Sequence, residues 1–155
     1  MRVAWADIAR ATGELDLGVS DWRAVTQDQV DLFAAATGDR QFIHVDPERA
    51  AREGPFGATV AHGYLLLAML PRLLAERLEL PAGATVVNYG LDKLRFSAVV
   101  RVGERVRARF ALIGKNRLEP TTMLLKVRAS VEAEGAPRPA LSVDPLIALV
   151  RLASG

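Results

Sequence analysis

Cysteine is absent from this 155-residue chain. Its absence excludes disulfide bonds, thiolate metal ligands and a cysteine nucleophile, and it is typical of proteins from a reducing compartment. Aromatic residues are scarce too, at 6% of the sequence, so an apolar cavity would be lined mainly by aliphatic side chains. Histidine occurs only twice, as His44 and His62, and both lie in one short region.

The chain also lacks a long hydrophobic run. The longest, from Tyr64 to Pro71, is far shorter than the roughly 20 residues that a membrane-spanning helix requires. The first residues reach the acidic Asp7 before any apolar segment develops, which gives no sign of a signal peptide. Since half of the residues are hydrophobic and a quarter are charged, we expect a soluble cytoplasmic protein without membrane contact. The length predicts a single globular domain, residues 1–155.

An excess of one charge is missing as well, because 20 basic and 18 acidic residues leave a net charge of +2. The densest basic stretch holds arginines at positions 101, 105, 107 and 109. These arginines either bind phosphate groups of a ligand or form the solvent-facing side of a strand, and their alternation with apolar residues favours the strand. Nucleic-acid interfaces interleave basic and aromatic residues. That pattern is missing, so we expect no nucleic-acid partner.

Two helices are well marked in the first half of the chain. Thr26 and Gln29 have the spacing of a capping box, and Gly38 is a natural stop for the helix that they open. Asp46-Pro47 begins a second, shorter helix, with Asp as the N-cap and Pro at the first helical position. Before them we expect a short helix at Trp5–Arg10, a loop at Gly13–Ser20 and a brief strand at Trp22–Val25.

The segment from Gly63 to about Leu80 predicts the longest helix. Residues 64–70 are apolar on every face, which is typical of a helix that is buried all round. Beyond residue 83 the apolar period changes to two, and its phase slips near Asp92-Lys93, which indicates a β-bulge. Further strands are expected at residues 104–113, 121–133 and 140–149, with turns at 114–117 and 134–137. These elements give an α+β fold, an antiparallel sheet curled around a long buried central helix.

The chemistry-bearing residues lie between the helices. Asp39 follows Gly38, and His44 stands five positions after Asp39. Taken alone, an Asp after Gly is a turn residue and a single His belongs to a core or a surface. Together, a carboxylate and an imidazole on one short segment can both point at a single water molecule, one holding or deprotonating it while the other delivers a proton.

This pattern resembles the MaoC-like dehydratase family, the (R)-specific enoyl-CoA hydratases, whose motif reads Gly-Asp-x-Asn-Pro-x-His and is followed by His-Gly before an apolar helix. Here Gly38-Asp39 and His44 match, and His62-Gly63 precedes the apolar helix. Gln41-Phe42 replaces the family's Asn-Pro pair, which is typical of the branch resembling nodulation protein N. Further similarity to that branch lies in residues 19–22, 43–46 and 88–91, and the resemblance covers nearly the whole chain.

The resemblance implies a hotdog fold, in agreement with the packing argued above, and a homodimer whose acyl channel runs along the interface. It implies a hydro-lyase that adds water, in a syn manner, across a trans-2-enoyl thioester of coenzyme A or acyl carrier protein. Asp39 and His44 would be catalytic, and the Gly63 N–H would be the oxyanion donor at a helix start. Gln41 and Asn88 are weaker candidates for orienting the catalytic pair or the thioester.

The second histidine admits other roles. His62 could be a third catalytic group, or a metal ligand with Asp39 and His44, but three ligands without fixed local spacing are a weak metal signal. The Asp/His chemistry of the family needs neither metal nor cofactor. We therefore expect none, and we interpret His62 as structural, a helix cap or a hydrogen-bond holder for the loop.

Two other functions stay open. Some hotdog proteins are acyl-CoA thioesterases, which use a carboxylate to activate water against the thioester carbonyl; they lack the spacing of Asp39 and His44. An acyl-binding or partner subunit without turnover is the second alternative, and the intact Asp/His pair argues against it. A serine nucleophile is poorly supported, because no serine lies in a nucleophile-elbow context.

Overall fold

Helices occupy the first half of the chain and long strands the second half in the computed structural model, which describes residues 2–151. The helices are α1 (Trp5–Arg10), α2 (Gln27–Thr37), α3 (Phe42–Val45), α4 (Pro47–Glu53) and α5 (Gly63–Ala75). The strands are β1 (Leu15–Val19), β2 (Arg23–Ala24), β3 (Ala84–Phe96), β4 (Arg105–Glu119), β5 (Thr122–Ala133) and β6 (Leu141–Arg151). In residues 2–151 we find no helix with the length and apolar character needed to cross a membrane.

All strands join one antiparallel sheet in the order β1-β4-β5-β6-β3, and β2 also pairs with β4. The sheet does not close into a barrel, so β3 forms a free edge. Helix α5 packs against the sheet through four buried leucines: Leu66, Leu70, Leu73 and Leu74. Burying each leucine contributes roughly 1.5–3 kcal/mol, which makes this contact the centre of the core. The predicted α+β hotdog fold is confirmed.

The prediction that α5 is buried on every face is wrong within this chain. Tyr64 is 65% exposed, and the apolar helix face that includes Leu67 lines an open groove instead of the core. The helix is also shorter than expected and ends at Ala75. Just beyond it Leu78 forms a parallel bridge with Val3, so the chain is redirected to pair with the N-terminal segment.

The predicted β-bulge in β3 is confirmed. The register between β3 and β6 shifts between Asp92 and Arg95, and Lys93 adopts a left-handed φ of 54°. A bulge lets one strand keep apolar side chains on the same side of the sheet after an extra residue, which explains the slip in the apolar phase.

Two local predictions are wrong. The expected loop at Gly13–Ser20 contains β1, whose partner β4 lies almost a hundred residues later in the chain. The expected turn at 114–117 lies inside β4, because β4 and β5 stay paired out to Glu119 and Thr122. In both cases the conformation is determined by pairing with another strand, which the local sequence does not reveal.

The arginine-rich strand places its basic side chains on the solvent side, as its alternation predicts. The apolar residues between them are at most 1% exposed: Val106, Ala108, Phe110 and Leu112. Arg107 pairs with Glu132 at 2.5 Å, and Arg105 pairs with Glu134, whose carboxyl pKa is lowered by the hydrogen bonds from that guanidinium. Two of the four arginines are thus neutralised, which weakens the phosphate-binding interpretation.

Candidate active site

The segment with Asp39 is positioned by the end of α2. The predicted capping box is present, since the Thr26 hydroxyl accepts a hydrogen bond from the Gln29 N–H and the Gln29 side chain accepts one from the Thr26 N–H. Gly38 ends the helix with a left-handed φ of 82°, and its N–H donates to the Ala34 carbonyl. Glycine adopts this conformation without steric cost, and the turn carries Asp39 out of the helix.

Asp39 is exposed, and two hydrogen bonds hold its backbone. Its N–H lies 3.4 Å from the Thr37 hydroxyl oxygen, and its carbonyl accepts a 3.0 Å hydrogen bond from Nε2 of His62. The Asp39 carboxylate itself makes no hydrogen bond within residues 2–151. It is free to bind a water molecule or a ligand.

Helix α3 buries the first histidine ring. His44 is 8% exposed, and its Nδ1 lies 2.7 Å from the Val60 carbonyl oxygen. A carbonyl can only accept, so Nδ1 carries the proton, and in the neutral ring Nε2 keeps its lone pair. His44 therefore presents an acceptor nitrogen, which is the form that a general base requires.

The two predicted catalytic side chains are brought together, and His62 joins them. One ligand-type atom from each of Asp39, His44 and His62 lies within 4.8 Å of the others. Two groups that hydrogen-bond the same water can be up to about 5.5 Å apart, twice a normal hydrogen-bond length. The Asp39 carboxylate and the His44 ring can thus contact one shared water.

The His62 ring is buried, with 3% exposure, and stacks on His44 with ring centroids 3.8 Å apart and planes 23° from parallel. Phe33 packs against His62 at a centroid distance of 5.0 Å. His62 stands at the N-cap position of α5 without a side-chain cap bond, so the predicted cap role is wrong. The alternative, a hydrogen-bond holder for the loop, agrees with its bond to the Asp39 carbonyl.

The geometry of the two rings does not favour a metal. A metal ion lies in the plane of a ligating imidazole, about 2.0–2.1 Å from the nitrogen. The His44 and His62 rings are stacked with their planes 23° from parallel. One ion therefore cannot lie in both ring planes and also within about 2.1 Å of a nitrogen of each ring. His44, His62 and Asp39 could hold an ion only after one ring rotates, which would break a hydrogen bond to a backbone carbonyl.

Gly63 is the first residue of α5, and within residues 2–151 its N–H has no hydrogen-bond acceptor. Such a free donor at a helix start can bind a developing negative charge. A Cβ built at Gly63 would lie 2.8 Å from Cδ1 of Phe96, so only glycine allows this close contact. Phe96 also meets Tyr64 edge to face at 5.4 Å, so two aromatic rings lie at the start of α5.

The two weaker candidates, Gln41 and Asn88, lie on different elements. Gln41 is exposed at the N-cap of α3 and accepts a backbone hydrogen bond from His44 through its own carbonyl. Asn88 is exposed on β3 and lines the groove beside α5. In the part of the chain that the structure describes, neither side chain hydrogen-bonds to Asp39 or His44.

A groove of about 840 Å³ runs between α5 and the free-edge strand β3. Apolar side chains form most of its wall, for example Leu67, Pro71, Leu91, Leu146 and Ile147. Phe33 belongs to the same wall and also contacts His62, so the groove reaches the Asp/His cluster. As the low aromatic content predicts, the lining is mainly aliphatic.

Sequence reasoning missed three contacts of this site. The Val60 carbonyl sets the His44 tautomer, Phe33 covers the His62 ring, and Phe96 packs on Gly63. In the sequence, Phe33 shares one apolar helix face with Val30 and Ala34 at helical spacing, so a signal existed for that contact. For the Val60 carbonyl and for Phe96 no local pattern was available.

Comparison with known proteins agrees with these features. Residues 11–134 match the MaoC like domain model. A 3-hydroxyacyl-thioester dehydratase Z from Mycobacterium tuberculosis (strain ATCC 25618 / H37Rv) is 49% identical over 145 residues, covering 94% of this chain and 95% of that protein. Nodulation protein N from Rhizobium leguminosarum bv. viciae is 43% identical over 140 residues, covering 90% and 86% respectively.

Among solved structures, the (R)-hydratase from A. caviae involved in PHA biosynthesis superposes with a TM-score of 0.69 at 22% identity. The match covers 92% of this chain and 97% of that one. At this identity the likeness concerns the fold alone.

Proposed function

The chain belongs to the MaoC-like domain family, and from that premise we propose that it is a hydro-lyase that interconverts a trans-2-enoyl thioester and an (R)-3-hydroxyacyl thioester. The observation that carries the proposal is the approach of the Asp39 carboxylate and the His44 ring to within 4.8 Å of each other, at the end of an apolar groove. A dehydratase at 49% identity over nearly the full length of both proteins supports the reaction class.

The two side chains divide the work on one water molecule. Nε2 of His44 accepts a proton from the water while the water oxygen bonds to C3 of the enoyl group. The proton removed from the water is returned to C2 from the same side, which makes the addition syn and leaves His44 neutral again. The Asp39 carboxylate orients the water and balances the transient charge on the imidazolium.

The thioester carbonyl gains negative charge as C3 is attacked. The N–H of Gly63 at the start of α5 is the donor proposed for that oxygen. The acyl chain would lie in the apolar groove, and the carrier, coenzyme A or acyl carrier protein, would remain at the surface. Gln41 and Asn88 are kept as proposed orienting groups for the pair and for the thioester.

We also propose that the protein is a homodimer. Strand β3 is an unpaired edge of the sheet and exposes four large apolar side chains, 41–60% accessible: Val86, Val87, Tyr89 and Leu91. An apolar edge of this kind invites pairing with another strand. A second copy of β3 would cover it and close the groove.

The proposed function is tested by incubating the protein with trans-2-enoyl-CoA substrates of increasing chain length. We expect loss of enoyl absorbance without release of free thiol, an (R)-3-hydroxy product, and the same rate in the presence of a chelator, because neither catalytic step needs a metal. Thiol release would instead indicate a thioesterase, and the absence of both signals would favour a binding subunit. Reversible inactivation by the chelator would contradict the metal-free mechanism.

Gly63→Ala is expected to lower kcat/KM about 10²-fold, the scale of one impaired oxyanion donor. The loss should lie in kcat, because charge on the thioester oxygen develops mainly in the transition state. The added methyl also collides with Phe96, so the substitution is repeated in a Phe96→Leu background with steady-state kinetics. A loss that persists in this background comes from the added methyl group, which hinders the approach of the thioester carbonyl to the N–H of residue 63. A loss that disappears would assign the effect to the displaced Phe96 ring and contradict the oxyanion role.

A further inference from the structure

His62 contacts both residues of the proposed catalytic pair. Its Nε2 is 3.0 Å from the backbone carbonyl of Asp39, and one face of its ring stacks on His44 at 3.8 Å. A residue whose only task was to fill the core would not require a polar ring at a position with 3% exposure. We therefore expect a role of the His62 ring in its contacts with Asp39 and His44.

The tautomer of His62 follows from its partner. The Asp39 carbonyl can only accept, so Nε2 of His62 carries the proton and Nδ1 of the neutral ring is the acceptor. This Nδ1 is buried and has no hydrogen-bond partner within residues 2–151. A buried polar atom without a partner costs free energy. The ring orientation therefore satisfies Nε2–H at the expense of Nδ1.

The segment that carries Asp39 depends on this bond. Between the end of α2 at Thr37 and the start of α3 at Phe42, the chain has no regular secondary structure. Apart from the His62 contact, the one hydrogen bond to the Asp39 backbone among residues 2–151 is the long 3.4 Å contact with the Thr37 hydroxyl. Loss of the His62 N–H would leave the exposed Asp39 without its shorter contact.

We propose that His62 is a positioning residue that fixes the Asp39 backbone through Nε2–H, so that the Asp39 carboxylate addresses the same water as His44. The inference rests on the proposed hydration reaction and assigns to His62 an effect on the chemical step. In this role His62 acts through Asp39 and not on the reacting atoms.

The test uses two amides that imitate different nitrogens of histidine. The amide nitrogen of glutamine reaches the position of Nε2, whereas that of the shorter asparagine reaches only the position of Nδ1. Both His62→Gln and His62→Asn remove the stacking ring, so they are matched controls for each other. Displacing a catalytic group by about 1 Å can cost 10²-fold in rate.

We expect kcat to fall about 10²-fold in His62→Asn and to be largely restored in His62→Gln, with KM little changed in both because ground-state binding is untouched. The melting temperatures of the two variants should be similar, since the same ring is lost. Equal kcat values for the two variants, or kcat values that follow the melting temperature, would overturn the proposal.

A measurement without substrate separates this inference from the proposed function. Because the chain has only two histidines, long-range ¹H–¹⁵N spectra of the wild-type protein resolve all four imidazole nitrogens. We expect the proton on Nε2 in His62 and on Nδ1 in His44. Finding His62 protonated on Nδ1 would overturn the positioning role even in an active hydratase, whereas an inactive wild type with the expected tautomers would contradict only the proposed reaction.

Discussion

Asp39→Asn and His44→Ala are each expected to lower kcat/KM by about 10²–10⁴-fold, the range of a lost general acid or base. The physical reason is their shared water. Without the Nε2 lone pair of His44 the water keeps its proton, and without the Asp39 carboxylate the water loses its orientation and the imidazolium its counter-charge. Steady-state kinetics with an enoyl-CoA substrate measure both effects.

The double variant tests whether the two groups act as a unit. If they do, the combined loss in kcat/KM should be far smaller than the product of the two single losses. Each group acts only together with the other, so the second substitution removes a side chain that no longer contributes to the rate. Asp28→Asn is a suitable control, since it removes an exposed carboxylate at the opposite end of α2, in its first turn. A combined loss equal to the product would mean that Asp39 and His44 work independently. A large drop in melting temperature would indicate a structural role.

The elements that the sequence predicts well are those decided by neighbouring residues. Helix α2 begins at the Thr26–Gln29 capping box and ends at the left-handed Gly38, and each of these features needs only residues within one turn. The same holds for α4, where Asp46 caps the helix and Pro47 opens it. The bulge at Asp92-Lys93 was predictable because it shifts the apolar alternation of its own strand.

Elements decided by distant residues were not predictable in this way. Strand β1 exists because β4 offers it a partner, and the extension of β4 through residues 114–117 exists because β5 continues beside it. The exposure of one side of α5 has a similar cause. Apolar residues on every face indicate that the helix is covered all round, but they do not tell whether the cover comes from the same chain.

The candidate site shows the same division. The spacing of Asp39 and His44 was enough to predict that both belong to one site, because only five positions separate the short loop with Asp39 from His44 in α3. The tautomer of His44 depends on the Val60 carbonyl, and the contact of His62 with Asp39 joins residues 23 positions apart. The catalytic role of Asp39 and His44, and the cytoplasmic location, remain predictions.

Leu66→Asp is expected to abolish folded protein. Leu66 is 2% exposed in the contact between α5 and the sheet. Removing a buried leucine side chain alone costs about 2–5 kcal/mol, and an unpaired buried carboxylate adds several more, against a total stability of about 5–15 kcal/mol for a domain. Soluble yield and circular dichroism measure the outcome, with Leu66→Met as the control that preserves volume and costs under about 1.5 kcal/mol.

Leu67 is the matched comparison on the neighbouring helix position, because its side chain lines the groove and is only partly buried. Its replacement by Asp puts the carboxylate where water can reach it, so we expect a folded chain. Activity should still be lost, since the charge lies where the acyl chain is proposed to bind. The mass in solution, measured by light scattering, should fall towards that of a single chain if the groove closes against a second copy. A folded and active Leu66→Asp variant would contradict the core packing of α5, and an unfolded Leu67→Asp variant would contradict the open groove.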